Sequence, residues 1–199
     1  MTSSHKQILR STSIMSVAAL INILTRIVRV KVLAVLLGPA GIGLLALYTS
    51  ILGVASNFAG LGIGTSAVRQ IAEARGKEDK VKIGQVIQAL RIATIFLGLA
   101  GMAIVFYFRE RIAIATFGDA ARATDVGWLA CVVFVSVAGS SIGALLQGYR
   151  RIGDQARVSV ISGITGVIIA VICVLLYGEQ GIIYFMILTP IVGLAVSWK

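Results

Sequence analysis

The chain has 199 residues, of which 58% are apolar and 13% charged, and its mean hydropathy is +0.97. A soluble domain carries about 25% charged residues, so this chain has too little charge to cover a globule of its size. Disordered chains need low hydrophobicity, and a disulfide scaffold needs more than two cysteines, so both classes are excluded. The composition predicts an integral membrane protein, and we expect no nucleic-acid partner despite the net charge of +10.

Long neutral stretches between clumps of charge predict the membrane spans, because a spanning helix needs about 17–25 mostly apolar residues. The predicted helices cover roughly residues 9–36, 41–68, 86–108, 126–149, 157–177 and 181–199. A barrel would require strict alternation of apolar and polar residues, which runs such as Val167-Ile168-Ile169-Ala170 lack. The predicted fold class is an all-α polytopic membrane helix bundle with about six transmembrane helices. Residues 1–199 form a single transmembrane domain.

Basic residues are concentrated on one side of this predicted bundle. Twelve lysines and arginines fall on the side of the N-terminus and the 69–85 loop: Lys6, Arg10, Arg69, Arg75, Lys77, Lys80, Lys82, Arg91, Arg150, Arg151, Arg157 and Lys199. Three fall on the other side: Arg109, Arg111 and Arg122. Cytoplasmic loops are enriched in Lys and Arg, so we expect the N-terminus and the 69–85 loop in the cytoplasm, against lipid headgroups.

The first predicted helix carries two arginines at membrane depth. Asn22, Arg26 and Arg29 follow an i, i+4, i+7 spacing and share one helix face. A charge at this depth costs about 2.5–3.5 kcal/mol, so the face should meet water, a partner or an anion. The guanidinium fork suits phosphate oxygens, which makes these three residues a candidate site for an anionic solute. The alternative is that residues 26–31 form a loop, which would leave a short first span.

Glycine and proline mark candidate hinges and packing sites. Gly60, Gly62 and Gly64 alternate along the second predicted helix, where they favour a bend or a close helix contact. The Lys-Ser/Thr that would end a phosphate-binding P-loop is missing. Pro190 should kink the sixth helix, a feature of many transporters.

Catalytic chemistry has few candidate residues. The single histidine is His5, in the N-terminal tail, and Asp119, Asp125 and Glu179 should lie at or outside the external interface. No carboxylate pair, metal-ligand spacing or nucleophilic set can be assembled from these positions. We therefore expect no enzyme activity, no metal site and no cofactor.

A run of residues at the first turn resembles a known family. The resemblance rests on Arg29-Val30-Lys31-Val32-Leu33-Ala34-Val35-Leu36-Leu37-Gly38-Pro39-Ala40-Gly41-Ile42-Gly43-Leu44, Leu47-Tyr48, Gly60-Leu61-Gly62-Ile63-Gly64 and Val68-Arg69-Gln70-Ile71-Ala72. These stretches are similar to the N-terminal part of the polysaccharide transporters, the flippases of O-antigen (lipopolysaccharide) and of lipid III (enterobacterial common antigen). They belong to the multidrug/oligosaccharidyl-lipid/polysaccharide exporter superfamily.

The resemblance implies a twelve-helix fold of two six-helix lobes around a central cavity. Such proteins move undecaprenyl-pyrophosphate-linked oligosaccharides from the cytoplasmic to the periplasmic leaflet of the bacterial inner membrane. Arg26 and Arg29 match first-helix arginines that are implied to meet the pyrophosphate, so the face that they share with Asn22 is a candidate pyrophosphate site. The chain would then be an N-lobe, a fragment or truncated member, with a second six-helix lobe or other polysaccharide-assembly proteins as partners.

Three alternatives remain open from the sequence. A multidrug-type exporter of the same superfamily would favour acids in its cavity for cationic drugs. A membrane enzyme such as a polymerase would need large external loops, of which residues 109–125 are the only sizeable one. A non-transporting membrane subunit of polysaccharide assembly would fit the short length.

Overall fold

The computed structural model describes the backbone of residues 2–149 and 151–197, and the side chains of residues 15–149, 151 and 153–197. Its α-helices are α1 (Thr2–Gly60), α2 (Ile63–Gly76), α3 (Lys80–Tyr107), α4 (Arg109–Phe117), α5 (Ala123–Gly148), α6 (Ile152–Tyr177) and α7 (Gly181–Ser197). Short 3-10 turns cover Ala120–Arg122 and Gly178–Gln180. No strand occurs in this described part of the chain, and the predicted all-α membrane bundle is confirmed.

Four segments are long and apolar enough to cross a membrane: Met15–Gly60, Lys80–Tyr107, Ala120–Gly148 and Gly153–Ser197. The first has 46 residues, which as one straight helix would extend about 69 Å, against a hydrocarbon core of about 30 Å. Gly38 breaks it, with φ 68° and ψ −175°, a conformation open almost only to glycine. We call residues 2–37 helix α1a and residues 39–60 helix α1b. The last segment is broken in the same way by the turn at Gly178–Gln180.

Contacts show that the chain reverses at Gly38. Helix α1a runs parallel to α6, since Asn22 bonds Ser159 and Thr25 lies beside Gly163. Helix α1b runs parallel to α5. Tyr48 bonds Asp125 near the start of both helices, while Ala59 and Val133 meet around Gly101 further along.

The relation between α5 and α6 follows from α7. Gly166 lies against Thr189 and Ser162 against Gly193, so α6 and α7 are antiparallel. Gly139 contacts Leu194 toward the far ends of α5 and α7, which are parallel. Helices α5 and α6 therefore run in opposite directions, and so do α1a and α1b. The two broken segments each supply two passes, giving the bundle of about six predicted helices.

Several predicted boundaries were wrong. The second helix ends at Gly60 and not near residue 68, because Leu61 (φ 42°) and Gly62 (φ 69°) turn the backbone left-handed. Much of the predicted 69–85 loop is therefore helical, as α2 and the start of α3. The predicted loop 109–125 contains α4. The alternative of a loop at residues 26–31 was also wrong, since α1a is helical throughout that range.

The bundle has two distinct ends. We call the end with Gly38 and residues 107–123 and 178–180 the hairpin end. The opposite end, with residues 61–80 and 148–153, we call the basic end. Helix α2 covers part of the basic end: its buried Ile71 packs on Gly148, and the Arg75 guanidinium donates to the Tyr149 carbonyl. The side chains of Lys6, Arg10, Arg150 and Lys199, counted above among the basic residues, lie outside the described residues, as does His5.

The hydrophobic core lies toward the hairpin end. Leu33, Leu129 and Ile182 are fully buried there and bring α1a, α5 and α7 together. Many other large apolar side chains are exposed, such as Val35 (86%) and Phe96 (73%). An apolar surface this extensive marks contact with lipid.

Candidate functional site

The predicted cationic face lies in the middle of α1a. Arg26 precedes Gly38 by twelve residues, which places its Cα about 18 Å along the helix from the hairpin end. Arg29 lies three residues nearer. The Arg26 side chain is exposed, whereas Arg29 is half-buried. Both therefore project from the part of the bundle that would occupy the hydrocarbon core.

Neither arginine is neutralised by a neighbour within the described residues. The ion pairs found there involve Lys77–Glu73, Arg122–Asp125, Arg122–Glu179 and Arg151–Asp154. No described hydrogen bond involves Arg26 or Arg29 either. Two unpaired charges one helical turn apart repel one another and carry the full cost of leaving water. An anion or a water-filled cavity beside this face would remove that cost.

Asn22 shares the face but is already engaged. Its amide nitrogen donates to the Ser159 hydroxyl across 2.8 Å, joining α1a to α6. Gly163 makes room for it, since a Cβ there would lie 3.0 Å from the Asn22 amide oxygen. Asn22 thus fixes α1a against α6 and orients the arginine face. A direct contact between Asn22 and a substrate stays a prediction, as do the substrate contacts of both arginines.

The glycines proposed as hinge or packing positions lie at a helix break. Gly60 ends α1b, and Gly62 is left-handed at the start of α2. Gly64 packs on Ala144 of α5, with 3.7 Å between its expected Cβ position and the Ala144 Cβ. Bending at this break during transport stays a prediction. Helix α7 continues through Pro190 from Gly181 to Ser197, without a break like that at Gly38, and a kink at Pro190 also stays a prediction.

Sequence reasoning did not find a polar cluster at the hairpin end. The Tyr48 hydroxyl donates to Asp125 Oδ2 at 2.6 Å and accepts from Arg122 Nη1 at 3.3 Å. Arg122 also lies 3.9 Å from carboxylate oxygens of Asp125 and Glu179. We call these four residues the hairpin-end cluster. The i, i+3 spacing of Arg122 and Asp125 was one available signal, and the predicted interface shared by Asp125 and Glu179 was another. Nothing in the sequence linked Tyr48 to them.

The hairpin-end cluster borders a cavity of about 580 Å³. Its lining consists of Tyr48, Asp119, Ala121, Arg122, Asp125, Trp128, Glu179, Gln180, Ile183 and Tyr184. Small-molecule sites typically measure about 300–1,000 Å³, so the cavity has the size of a ligand site. Within the described residues, no group of three His, Cys, Asp or Glu side chains is arranged to hold a metal ion.

Comparison with known proteins gave one finding. The model of a family described as "Polysaccharide biosynthesis protein" matches residues 8–197, nearly the whole chain. No curated protein sequence and no solved structure matched significantly.

Proposed function

Because the chain belongs to the polysaccharide biosynthesis protein family, we propose that it is one lobe of a flippase for lipid-linked oligosaccharides. It is a multi-pass membrane protein with a transporter kind of role in polysaccharide biosynthesis. The finer proposal is that it moves an undecaprenyl-pyrophosphate-linked unit, of the O-antigen or enterobacterial common antigen type, from the cytoplasmic to the periplasmic leaflet. This is transport without catalysis of bond cleavage or transfer.

The observation that carries the proposal is the unpaired cationic face of α1a. Arg26 and Arg29 lie at mid-depth with no described anionic neighbour. A pyrophosphate offers oxygens to both guanidinium groups and would cancel the repulsion between them. The lipid tail would remain in the bilayer while the headgroup crosses the membrane along this polar face.

The proposed orientation places the basic end in the cytoplasm. Six described basic residues of loops and helix ends lie at that end, against Arg109, Arg111 and Arg122 at the hairpin end: Arg69, Arg75, Lys77, Lys80, Lys82 and Arg151. The hairpin end then faces the periplasm. A second six-helix lobe would complete the central cavity, and rocking of the two lobes would expose the arginine face first inward and then outward.

Direct binding tests the role of the arginines. Purified chain in nanodiscs should bind undecaprenyl pyrophosphate, and Arg26→Ala or Arg29→Ala should weaken binding about tenfold to a hundredfold, as expected for a lost charge-assisted hydrogen bond. Arg26→Lys should recover part of the affinity, because lysine keeps the charge and loses the fork. Lys31→Ala is the matched control, since Lys31 is a nearby exposed cation of the same helix.

Equal losses at Lys31 and Arg26 would indicate a general electrostatic effect and contradict a specific site. Wild-type affinity in the Arg26→Ala, Arg29→Ala double variant would overturn the proposal. Flipping is then measured in cells that lack their own flippase and receive this chain together with a second lobe. Retained export by the double variant would again contradict the proposed role.

A further inference from the structure

We propose that the cavity at the hairpin end is a carbohydrate-binding subsite. This deepens the proposed function, on which it rests for its biological occupant: the sugar portion of the substrate would bind there, apart from the pyrophosphate on α1a. The evidence lies in three properties of the cavity: its aromatic walls, its partnered carboxylates and its position in the bundle.

Two aromatic rings are available on the walls. Trp128 of α5 is 56% exposed and Tyr184 of α7 is 44% exposed, although both line the cavity. The Tyr184 ring is held by Tyr177, whose ring centroid lies 4.9 Å away. Aromatic faces carry negative charge and attract the C–H bonds on the apolar face of a sugar ring. Interfacial anchoring explains exposed Trp and Tyr, but it does not require that they border a cavity of ligand size.

The carboxylates of the cavity already have partners within the protein. Asp125 is engaged by Tyr48 and Arg122, and Asp119 accepts a hydrogen bond from the Ala121 backbone N–H. Glu179 pairs with Arg122 at 3.9 Å, yet its side chain remains 58% exposed. Each of the three carboxylates that line the cavity therefore has a hydrogen-bond donor or Arg122 beside it.

An anion fits the cavity poorly. Asp119, Asp125 and Glu179 outnumber Arg122, the one cationic side chain among the lining residues. A phosphate would meet this excess of negative charge. Sugar hydroxyls are neutral and both donate and accept, so they can bond the free oxygens of Glu179 and the side-chain amide of Gln180.

The position of the cavity fits the release side of transport. It lies at the end opposite the basic loops, which is the periplasmic end in the proposed orientation. Its walls come from α1b, α5, α7 and the turns before α5 and α7. A substrate whose pyrophosphate lies at mid-depth on α1a would carry its sugars toward an aqueous end.

The test uses free sugars that carry neither lipid nor phosphate. The full chain in nanodiscs is titrated with chitotriose and maltotriose, and binding is measured by saturation-transfer NMR. At least one trisaccharide should bind saturably. Trp128→Ala and Tyr184→Ala should each weaken it about twofold to tenfold, the range expected for one aromatic contact. Trp128→Phe should retain most of the affinity because it keeps a ring.

Tyr107→Ala is the matched control: Tyr107 is an aromatic residue of the same end, 81% exposed, and does not line the cavity. It should bind like the wild type. In the chain with Trp198→Phe, Trp128 is the sole indole, and its fluorescence should shift with the same sugar concentration dependence.

Absence of saturable binding by both trisaccharides would overturn the inference. So would an equal loss in Tyr107→Ala, or a Trp128 signal that responds to tetraphenylphosphonium and to neither sugar. Failure here is separable from failure of the proposed function. The trisaccharides do not test the arginine face, and undecaprenyl pyrophosphate without sugar does not test the cavity.

Discussion

The arginines of α1a and the arginine of the hairpin-end cluster occupy opposite environments. Arg122 has a tyrosine hydroxyl and two carboxylates as neighbours, at an end of the bundle that water reaches. Arg26 and Arg29 have no described anionic neighbour and lie about 14–18 Å along the helix from that end. The first environment needs no ligand to be stable, whereas the second is costly until one arrives.

The contrast separates two uses of a charge in a membrane protein. A compensated charge connects elements, here α1b, the start of α5 and the turn before α7. An uncompensated charge on a lipid-depth helix is retained against its insertion cost, which indicates a functional role. Substitutions at the two places should therefore have opposite effects on stability and on transport.

The largest effect is expected for Arg26→Leu. Removing the charge should favour insertion by about 2.5–3.5 kcal/mol while weakening undecaprenyl pyrophosphate binding about tenfold to a hundredfold. Insertion is measured with a translocon reporter and binding with undecaprenyl pyrophosphate. Arg26→Lys should keep the insertion cost. A leucine variant that inserts less well would show that Arg26 has a structural partner.

Gly101 provides a comparison in which a substitution changes helix packing and no charge. Gly101 of α3 faces α1b so closely that an added Cβ would lie 2.5 Å from the Ala59 Cβ. Gly101→Ala should destabilise the bundle by about 1–3 kcal/mol, measured by SDS-induced unfolding. The matched variant is Gly84→Ala on the same helix, where a Cβ meets nothing within 4 Å. It should be neutral or up to about 1 kcal/mol more stable. Equal effects of the two would contradict the packing of α1b on α3.

Substitutions in the hairpin-end cluster should lower stability without weakening pyrophosphate binding. Tyr48→Phe removes the 2.6 Å hydrogen bond to Asp125 and should cost about 0.5–1.5 kcal/mol in SDS unfolding. Undecaprenyl pyrophosphate affinity should not change. A loss of that affinity, with unfolding unaffected, would make the cluster part of the pyrophosphate site and erase the contrast with α1a.

The smallest effect on stability is expected for Asn22→Ala. Interhelical hydrogen bonds in membrane proteins contribute about 0.6 kcal/mol on average, and the bond to Ser159 should follow that value. Ser159→Ala removes the same bond from the other side. If Asn22 only orients the arginine face, both variants should weaken pyrophosphate binding equally. A larger loss for Asn22→Ala would indicate a direct contact with the substrate.

The sequence predicted about six spans because most of its neutral stretches have the length of a membrane-spanning helix. It also identified Arg26 and Arg29 as unusual, since charge inside a neutral stretch is visible without any structure. It misplaced the end of the second helix, because the break rests on Leu61 and Gly62, whose left-handed backbone follows from tertiary context. The link from Tyr48 to Asp125 joins residues 77 positions apart, and helical periodicity carries no information on such a pairing.

Gly38 has a consequence for how the protein is made. Its backbone conformation decides whether residues 2–60 cross the membrane once or twice. That number sets the side of the membrane on which every later segment begins. A side chain here disfavours the turn by about 1–3 kcal/mol. The error would not stay local, because a chain that failed to reverse at Gly38 would deliver the basic residues of α2 and the start of α3 to the opposite side of the bilayer. The direction of the later helices thus depends on a residue that is synthesised before α5, α6 and α7.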